Sequence, residues 1–374
     1  MYVASKSWIE IDGDALRNNL QAIRTEVYPT RVMAVVKANA YGHGIEAVAS
    51  CLQNQPDWYG VDSIEEAAVL RAMGIMQPIL VLGFVPKGAI GQLIDLHCVV
   101  VASSEAFLEL LAQEARTRRV RIPVHCKWDT GLHRQGFDPS QATELAARWA
   151  AHPDVDIQGH CTHFAGSEDR QHEAFTQQQQ ALLERCIAAF PASEPSLVVH
   201  SACTSAMLLY PNTRTTLVRL GIGLYGYFPS AQTREQAPVA LQTVLTWKTR
   251  VAQLHSVPAG DTVGYDRAWT AARPSRIALL PIGYWDGYGR ALAGTAVVLI
   301  RGMRAPIVGR ICMNMCMCDV TDIPDAAIDD EVVLLGAQGS ARIDADTLGE
   351  AAHTISYELL TRINPLIPRI VQNA

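Results

Sequence analysis

Through about residue 235 the chain alternates between uninterrupted apolar runs and segments whose apolar residues recur every three or four positions. The first pattern predicts buried strands and the second predicts helices packed against them. Strands are expected over 32–38, 58–63, 78–83, 98–103, 122–130, 155–165, 196–204 and 216–223. Ahead of them Ile9 and Ile11 close a short strand, and Asp12 caps a helix whose apolar face is Leu16, Leu20, Ile23 and Val27. The best-marked helix between strands has Asp138 as N-cap, Pro139 in its first turn and Gln141 three residues on. Its apolar face is Ala142, Leu145, Ala146 and Trp149. The glutamine run at 177–180 reads as a solvated helix face. Eight strands separated by helices predict an α/β fold, a (β/α)8 TIM-type barrel over residues 12–235. A doubly wound open sheet is the alternative, because periodicity alone does not reveal closure.

Past residue 235 the pattern changes. Leu245, Trp247, Thr249 and Val251 alternate with Thr246, Lys248 and Arg250, the signature of a strand with one wet face. Further strand runs at 276–284, 295–302, 305–321 and 331–336 are separated by Gly, Pro and Asp, and only 344–363 reads as helix. A separate, mostly antiparallel β domain is expected over 236–374, with residues 1–11 available to add a strand.

Composition narrows the function classes. The 374 residues are 49% hydrophobic and 18% charged, enough to bury two globular cores. A net charge of −6 and a pI near 6.0 give no electrostatic case for nucleic acid or an anionic membrane. No apolar run approaches membrane-spanning length, and the first residues lack the apolar core of a signal peptide. Nine cysteines, an odd number, predict reduced thiols and a cytoplasmic setting. Strand alternation places Cys312, Cys316 and Cys318 on one face, but no histidine or second cysteine pair joins them, so no metal site is expected.

The candidate chemistry begins at Lys37, which ends the strand 32–38 and is followed by Asn39, Tyr41, Gly42 and Gly44. A desolvated lysine suits a Schiff base with an aldehyde cofactor, pyridoxal 5'-phosphate (PLP) first among them. The alternative is a lysine that has reached the sheet edge and lies in solvent. In a barrel, reacting groups gather at the carboxyl ends of strands. There Arg134 follows the fifth strand and His163 ends the sixth. Thr204 and Ser205 follow the seventh, and Arg219 precedes Gly221-Ile222-Gly223 in the eighth. The loops after the seventh and eighth strands are where barrels often cradle phosphate. Taken singly, His163 reads first as a satisfied core histidine, and Arg134 also fits a surface ion-pair partner.

The segment Val36-Lys37-Ala38-Asn39-Ala40-Tyr41-Gly42-His43-Gly44 resembles the PLP-attachment motif of alanine racemases. The resemblance continues in order through Lys127-Trp128-Asp129-Thr130-Gly131-Leu132-His133-Arg134, Thr162-His163-Phe164-Ala165 and Val218-Arg219-Leu220-Gly221-Ile222. It extends through Val263-Gly264-Tyr265, Ile282-Gly283-Tyr284-Trp285-Asp286-Gly287, Gly309-Arg310-Ile311-Cys312-Met313-Asn314 and Ile355-Ser356-Tyr357-Glu358. It implies a PLP-dependent racemase acting on L- and D-alanine through two bases on opposite faces of the substrate–cofactor adduct. Lys37 is the base that also anchors the cofactor. Tyr265 is the other, supplied by the neighbouring subunit of a homodimer. Tyr41, Ser205, Gly221, Ile222 and Tyr357 hold the phosphate, and Arg219 faces the pyridine nitrogen with His163 beside it. Arg134 bridges the cofactor's phenolic oxygen and the substrate carboxylate, Met313 contacts substrate, and Lys127 carries a carbamate. A role in D-alanine supply for a cell wall comes with the resemblance.

The residue types suit those roles. Racemisation needs a proton acceptor on each side of a planar intermediate, and lysine and tyrosine both need help to act near neutral pH. Arginine stays protonated, so it keeps a facing pyridine nitrogen unprotonated and the electron sink weak. Three departures from the family pattern stand out: Asn314 where Asp is common, Trp285 where Ala or Gly is usual, and Leu132 where Met is frequent. Tyr284 and Trp285 are expected to narrow the entrance and favour a small substrate. Alternatives are a serine or broad-specificity racemase of the same fold, a PLP barrel decarboxylase, and a non-catalytic PLP-binding barrel. The decarboxylase calls for an acid opposite the pyridine nitrogen, and the non-catalytic barrel for no second domain.

Overall fold

Runs of Val, Ile, Leu and Ala offer no side chain suited to water on either face, and the chain buries them as one parallel sheet. The structure, a computed structural model, describes residues 4–191 and 197–373. Residues 1–3 of the N-terminal strand reading, Ala192 to Ser196 (Ser196 opening the expected seventh strand), and Ala374 lie outside the described residues. After β1 (Ser7–Asp12) come β2 (Arg31–Val35), β3 (Trp58–Val61), β4 (Ile79–Val81), β5 (Val99–Ala102), β6 (Ile122–Lys127), β7 (Val155–Cys161), β8 (Val198–His200) and β9 (Leu217–Leu220). Every residue of β3, β4, β5 and β9 is buried.

The parallel strands pair in the order β8-β7-β6-β5-β4-β3-β2-β9. Between β8 and β9 the Arg219 N–H donates to Ala202 O at 2.9 Å, and the Val199 N–H to Thr216 Oγ1 at 2.7 Å. These bonds close the ring, which removes the open-sheet alternative. The ladders are shorter than the apolar runs that announced them. β2 ends at Val35, two residues before Lys37, and β7 ends at Cys161, two before His163. Apolar sequence marks burial, which continues into the loops after backbone pairing has stopped.

The helix Gly13–Val27 buries Leu16, Leu20, Ile23 and Val27 as expected. In the helix Glu173–Ala188 only Gln177 and Gln178 of the glutamine run are solvated. Gln179 and Gln180 are buried among Thr176, Leu183 and Cys186. Both fall on the i, i+3, i+4, i+7 stripe of that helix, so helical phase overrides side-chain polarity.

The second unit is built on a ten-stranded sheet. Leu245–Arg250 buries Leu245, Trp247 and Thr249 and half-exposes the residues between them. β1 pairs antiparallel with that strand and parallel with Arg369–Gln372, so the N-terminal segment does add a strand. The stretch 305–321 is two strands, not one. Met303–Val308 and Cys316–Asp319 fold antiparallel around a loop that starts at Gly309. Cys312 therefore sits in the loop and does not share a face with the buried Cys316 and Cys318. The helical stretch 344–363 is likewise two helices, Ala345–Ala351 and Ser356–Thr361, with His353 left-handed between them.

One compact unit holds Ala15–Ala38 and Ala49–Gln242; the other holds the chain up to Asp14, Asn39–Val48 and the chain from Thr243. A single boundary near 235 assigned Asn39–Val48 to the barrel. The hydrogen bonds of that segment explain the difference.

Candidate active site

After β2 the Val36 N–H still bonds Gly60 O at 2.8 Å, and then the chain turns the unusual way. In the helical turn Lys37–Tyr41, residues Ala38, Asn39, Ala40 and Tyr41 have φ of 53°, 54°, 53° and 52°. A left-handed residue with a side chain costs roughly 1–2 kcal/mol, so four in succession need outside support. Asn39 supplies some: its Oδ1 accepts the Ile45 N–H and its carbonyl the Gly44 N–H, both at 2.9 Å. Arg369 supplies more, donating from Nη2 to Gly42 O at 2.8 Å and from Nη1 to the carbonyls of Asn364 and Ile367. Gly42 (φ 83°) lies so close to the Leu360 carbonyl that a Cβ would sit 2.0 Å from its oxygen. The turn is thus tied to the C-terminal segment from Asn39 onward, while half-buried Lys37 remains a barrel residue.

Inside the barrel Arg219 is buried and its guanidinium is held on several sides. Nη1 donates to His200 O at 2.8 Å and His200 Nδ1 at 2.6 Å. Nη2 donates to Thr162 O at 2.9 Å, Ser201 O at 2.8 Å and His163 Nδ1 at 3.1 Å. Since arginine only donates, both imidazoles present a lone pair to it. His163 is held well below the usual imidazole range, first by burial and then by the charges of Arg219, Arg134, Lys127 and Lys37. Four of the expected site residues thus act on one histidine, and Arg219 donates to it directly. Lys127 is pushed down to about 8, mainly by burial, and donates to Gln135 Oε1 at 3.2 Å. Arg134 lies exposed in the loop after β6.

Gln179, expected on a solvated helix face and not in the site, holds the His163 backbone. Its Nε2 donates to the His163 carbonyl at 3.3 Å and to Thr130 Oγ1 at 3.2 Å, while Oε1 accepts the Ala165 N–H at 3.0 Å. The loops after β8 and β9 hold two neighbouring hydroxyls. Ser205 Oγ is buried against Ser167 Oγ at 2.9 Å, whereas Thr204 Oγ1 receives the Gly223 N–H at 3.4 Å. The hydroxyl that meets the glycine turn after Gly221 and Ile222 is therefore that of Thr204. Ser205, which the resemblance assigns to the phosphate, lies next to it in the same turn.

The remaining expected residues belong to the second unit. Tyr41 and Tyr357 have ring centroids 6.1 Å apart. The N–H groups of Tyr284 and Trp285 donate to the carbonyls of Cys312 and Met313 at 3.1 and 2.9 Å, which brings the aromatic pair and Met313 into one exposed cluster. Tyr265 opens the turn Tyr265–Arg267 and is 69% exposed.

The chain matches the alanine racemase N-terminal domain over residues 11–229 and the alanine racemase C-terminal domain over residues 244–371. It is 39% identical over 381 aligned residues to alanine racemase of Desulfosudis oleivorans, covering 98% of this chain and 97% of that one. Among solved structures it is similar to alanine racemase from D-cycloserine-producing Streptomyces lavendulae, at 32% identity and a TM-score of 0.93. That match covers 100% of this chain and 98% of the other. It is similar as well to alanine racemase from Bartonella henselae with covalently bound pyridoxal phosphate. There the identity is 28%, the TM-score 0.87, and the coverage 98% of this chain and 100% of the other. The chain belongs to the alanine racemase family.

Proposed function

We infer that this protein interconverts L- and D-alanine with PLP. The observation that carries the reading is the match of both domains over nearly the whole chain, with Lys37 two residues past the end of barrel strand β2. The donor set fits the cofactor. Lys37 offers an amine to its aldehyde, the Ser205 hydroxyl and the backbone of Gly221 and Ile222 offer hydrogen bonds to its phosphate, and Arg219 offers a fixed cation to its ring. The resemblance assigns the phosphate to Tyr41 and Tyr357 as well, both neutral hydroxyl donors. When bound, PLP withdraws electrons from the substrate's α-carbon and makes its proton removable.

The chain's own groups handle that proton. Lys37 Nζ takes or returns it on one face, and Tyr265 Oη does so on the other. Exposure of Tyr265 supports its delivery to a second copy of the chain, making a homodimer with shared sites. Arg134 holds the substrate carboxylate, Met313 contacts substrate, and His163 steadies Arg219. A carbamate on Lys127, formed by its amine with carbon dioxide, turns a cation into an anion facing Arg134; its lowered proton affinity supports this. Cytoplasmic D-alanine supply for a cell wall is the role that fits the reaction.

Incubation of the PLP-loaded protein with single L-amino acids, followed by chiral chromatography, tests the reading. L-Alanine is expected to become racemic fastest, with serine slower. Lys37→Ala is expected to lose the lysine-bound cofactor absorbance and at least about a thousandfold in turnover. A retained lysine-bound chromophore in that variant would place the anchor elsewhere.

A further inference from the structure

The hydrogen bonds of Arg219 do not stop at His200. His200 Nε2 lies 2.9 Å from His125 Nδ1, and both rings are fully buried. Arginine can only donate, so His200 accepts at Nδ1 and, being neutral, carries its proton at Nε2. That proton is donated to His125 Nδ1, which leaves the His125 proton on Nε2. The chain therefore has one direction: Arg219 to His200 to His125.

His125 is seated with care at an awkward place. The β6–β7 ladder shifts register between Val124 and His125, where Gln158 is passed over and His125 pairs with Gly159. Such a bulge re-aims a side chain. Gly159 leaves room for the ring, since a Cβ there would stand 2.6 Å from His125 Cδ2. The Trp58 ring covers it at 5.3 Å between centroids. Yet His125 Nε2 is buried with no partner among the described residues. A buried orphan donor costs roughly 1–3 kcal/mol, which an apolar side chain would avoid. The worth of the imidazole must then lie at its other nitrogen.

We propose that His125 is a positioning residue for Arg219: by accepting the His200 Nε2 proton it locks the tautomer whose Nδ1 receives the guanidinium. The inference rests on the reading that Arg219 faces the pyridine nitrogen of PLP. With the lock intact, Arg219 holds one place and the pyridine nitrogen stays unprotonated. With the lock gone, the guanidinium relaxes toward its carbonyl partners, the ring withdraws electrons more fully, and the deprotonated substrate lives longer. Some of it then takes its proton on the cofactor, so the substrate leaves as its keto acid after hydrolysis and its amino group stays on the cofactor. Each keto acid formed leaves one cofactor in the amine form.

The test uses PLP-loaded protein with ¹⁵N-labelled histidine, read by ring-nitrogen spectra and by keto acid formed per racemisation. Wild type is expected to show His200 as the Nε2–H tautomer alone. His125→Leu removes the acceptor and His125→Gln displaces it. Either is expected to give mixed His200 tautomers and about tenfold more keto acid per turnover, the scale of one hydrogen bond to a charged group. His125→Asn, whose Oδ1 falls near the place of Nδ1, is expected to restore both readouts. Should His125→Leu fail to fold, His125→Gln carries the same comparison. A single unchanged His200 tautomer in the folded Gln or Leu variant overturns the lock. A changed tautomer with unchanged keto acid yield overturns instead the link from Arg219 to the pyridine nitrogen.

Discussion

Arg219 is buried and donates to three carbonyls and two imidazoles, whereas Tyr265 stands largely exposed on a short turn beside two left-handed residues, Asp266 and Arg267. Both belong to the proposed reaction, but they are placed by different physics. The guanidinium is over-determined by the barrel: moving it breaks hydrogen bonds in a dry interior, where each unsatisfied group is expensive. The phenol is held by little within its own chain. A large aromatic ring left in water on a turn gains nothing for the monomer's stability, so its function depends on a surface it does not itself supply. Function and stability should therefore be coupled at Arg219 and separable at Tyr265.

The sharpest way to break that contrast is Tyr265→Phe. Removing the hydroxyl deletes one of two bases, and proton abstraction from one enantiomer should fall by about 10²–10⁴-fold. Abstraction from the other enantiomer should persist, because Lys37 serves that face. Thermal stability should be unchanged, since the lost oxygen is on an exposed side chain. Solvent-deuterium exchange into L- and D-alanine, measured separately beside a melting curve, checks all three statements. Equal losses for both enantiomers would remove Tyr265 from its assigned face. A large drop in melting temperature would remove the contrast with Arg219.

The barrel side makes its own prediction in acid. His125 is depressed to about 3 by burial, so between its ordinary 6.5 and about 3 the unfolded chain binds a proton that the folded chain refuses. Stability is therefore full above about pH 6.5 and falls as pH drops, by about 1.4 kcal/mol per pH unit for this one group. His200 and His163 are depressed in the same direction and add to the slope. Replacing His125 with Asn removes one such titration. Urea unfolding of that variant at several pH values below about 6.5 should show a slope shallower by one proton, and an unchanged slope would mean that His125 is already charged in the folded state.

Much of the barrel could be read in the sequence because burial on both faces leaves only apolar residues in a strand. The same cue overran the strand ends, which placed Lys37 and His163 on ladders that stop two residues earlier. Helical phase, not polarity, was the overlooked signal at Gln179. It shares a stripe with Leu183 and Cys186, and a glutamine there must satisfy its amide indoors. That the Gly223 N–H meets the Thr204 hydroxyl is a matter of backbone register, which composition does not carry. The left-handed turn after Lys37 had a partial sign in its glycines. Its support by Arg369, more than three hundred positions away in the chain, is a tertiary fact that no local pattern carries.

The smallest expected effect tests the exposed side again, at Trp285. The indole is more than half exposed, and its backbone N–H is fixed to the Met313 carbonyl at 2.9 Å, so the residue can be trimmed without disturbing the loop beneath it. If Tyr284 and Trp285 restrict the entrance, Trp285→Ala should raise kcat/KM for serine relative to alanine by up to about tenfold. That is the scale on which apolar pockets discriminate by size. Alanine itself should lose little, because the two bases and the carboxylate partner are untouched. Competition assays with both amino acids present measure the ratio directly. An unchanged ratio would show that selectivity is decided inside the barrel, and the exposed cluster would then share with Tyr265 only its freedom from the monomer's stability.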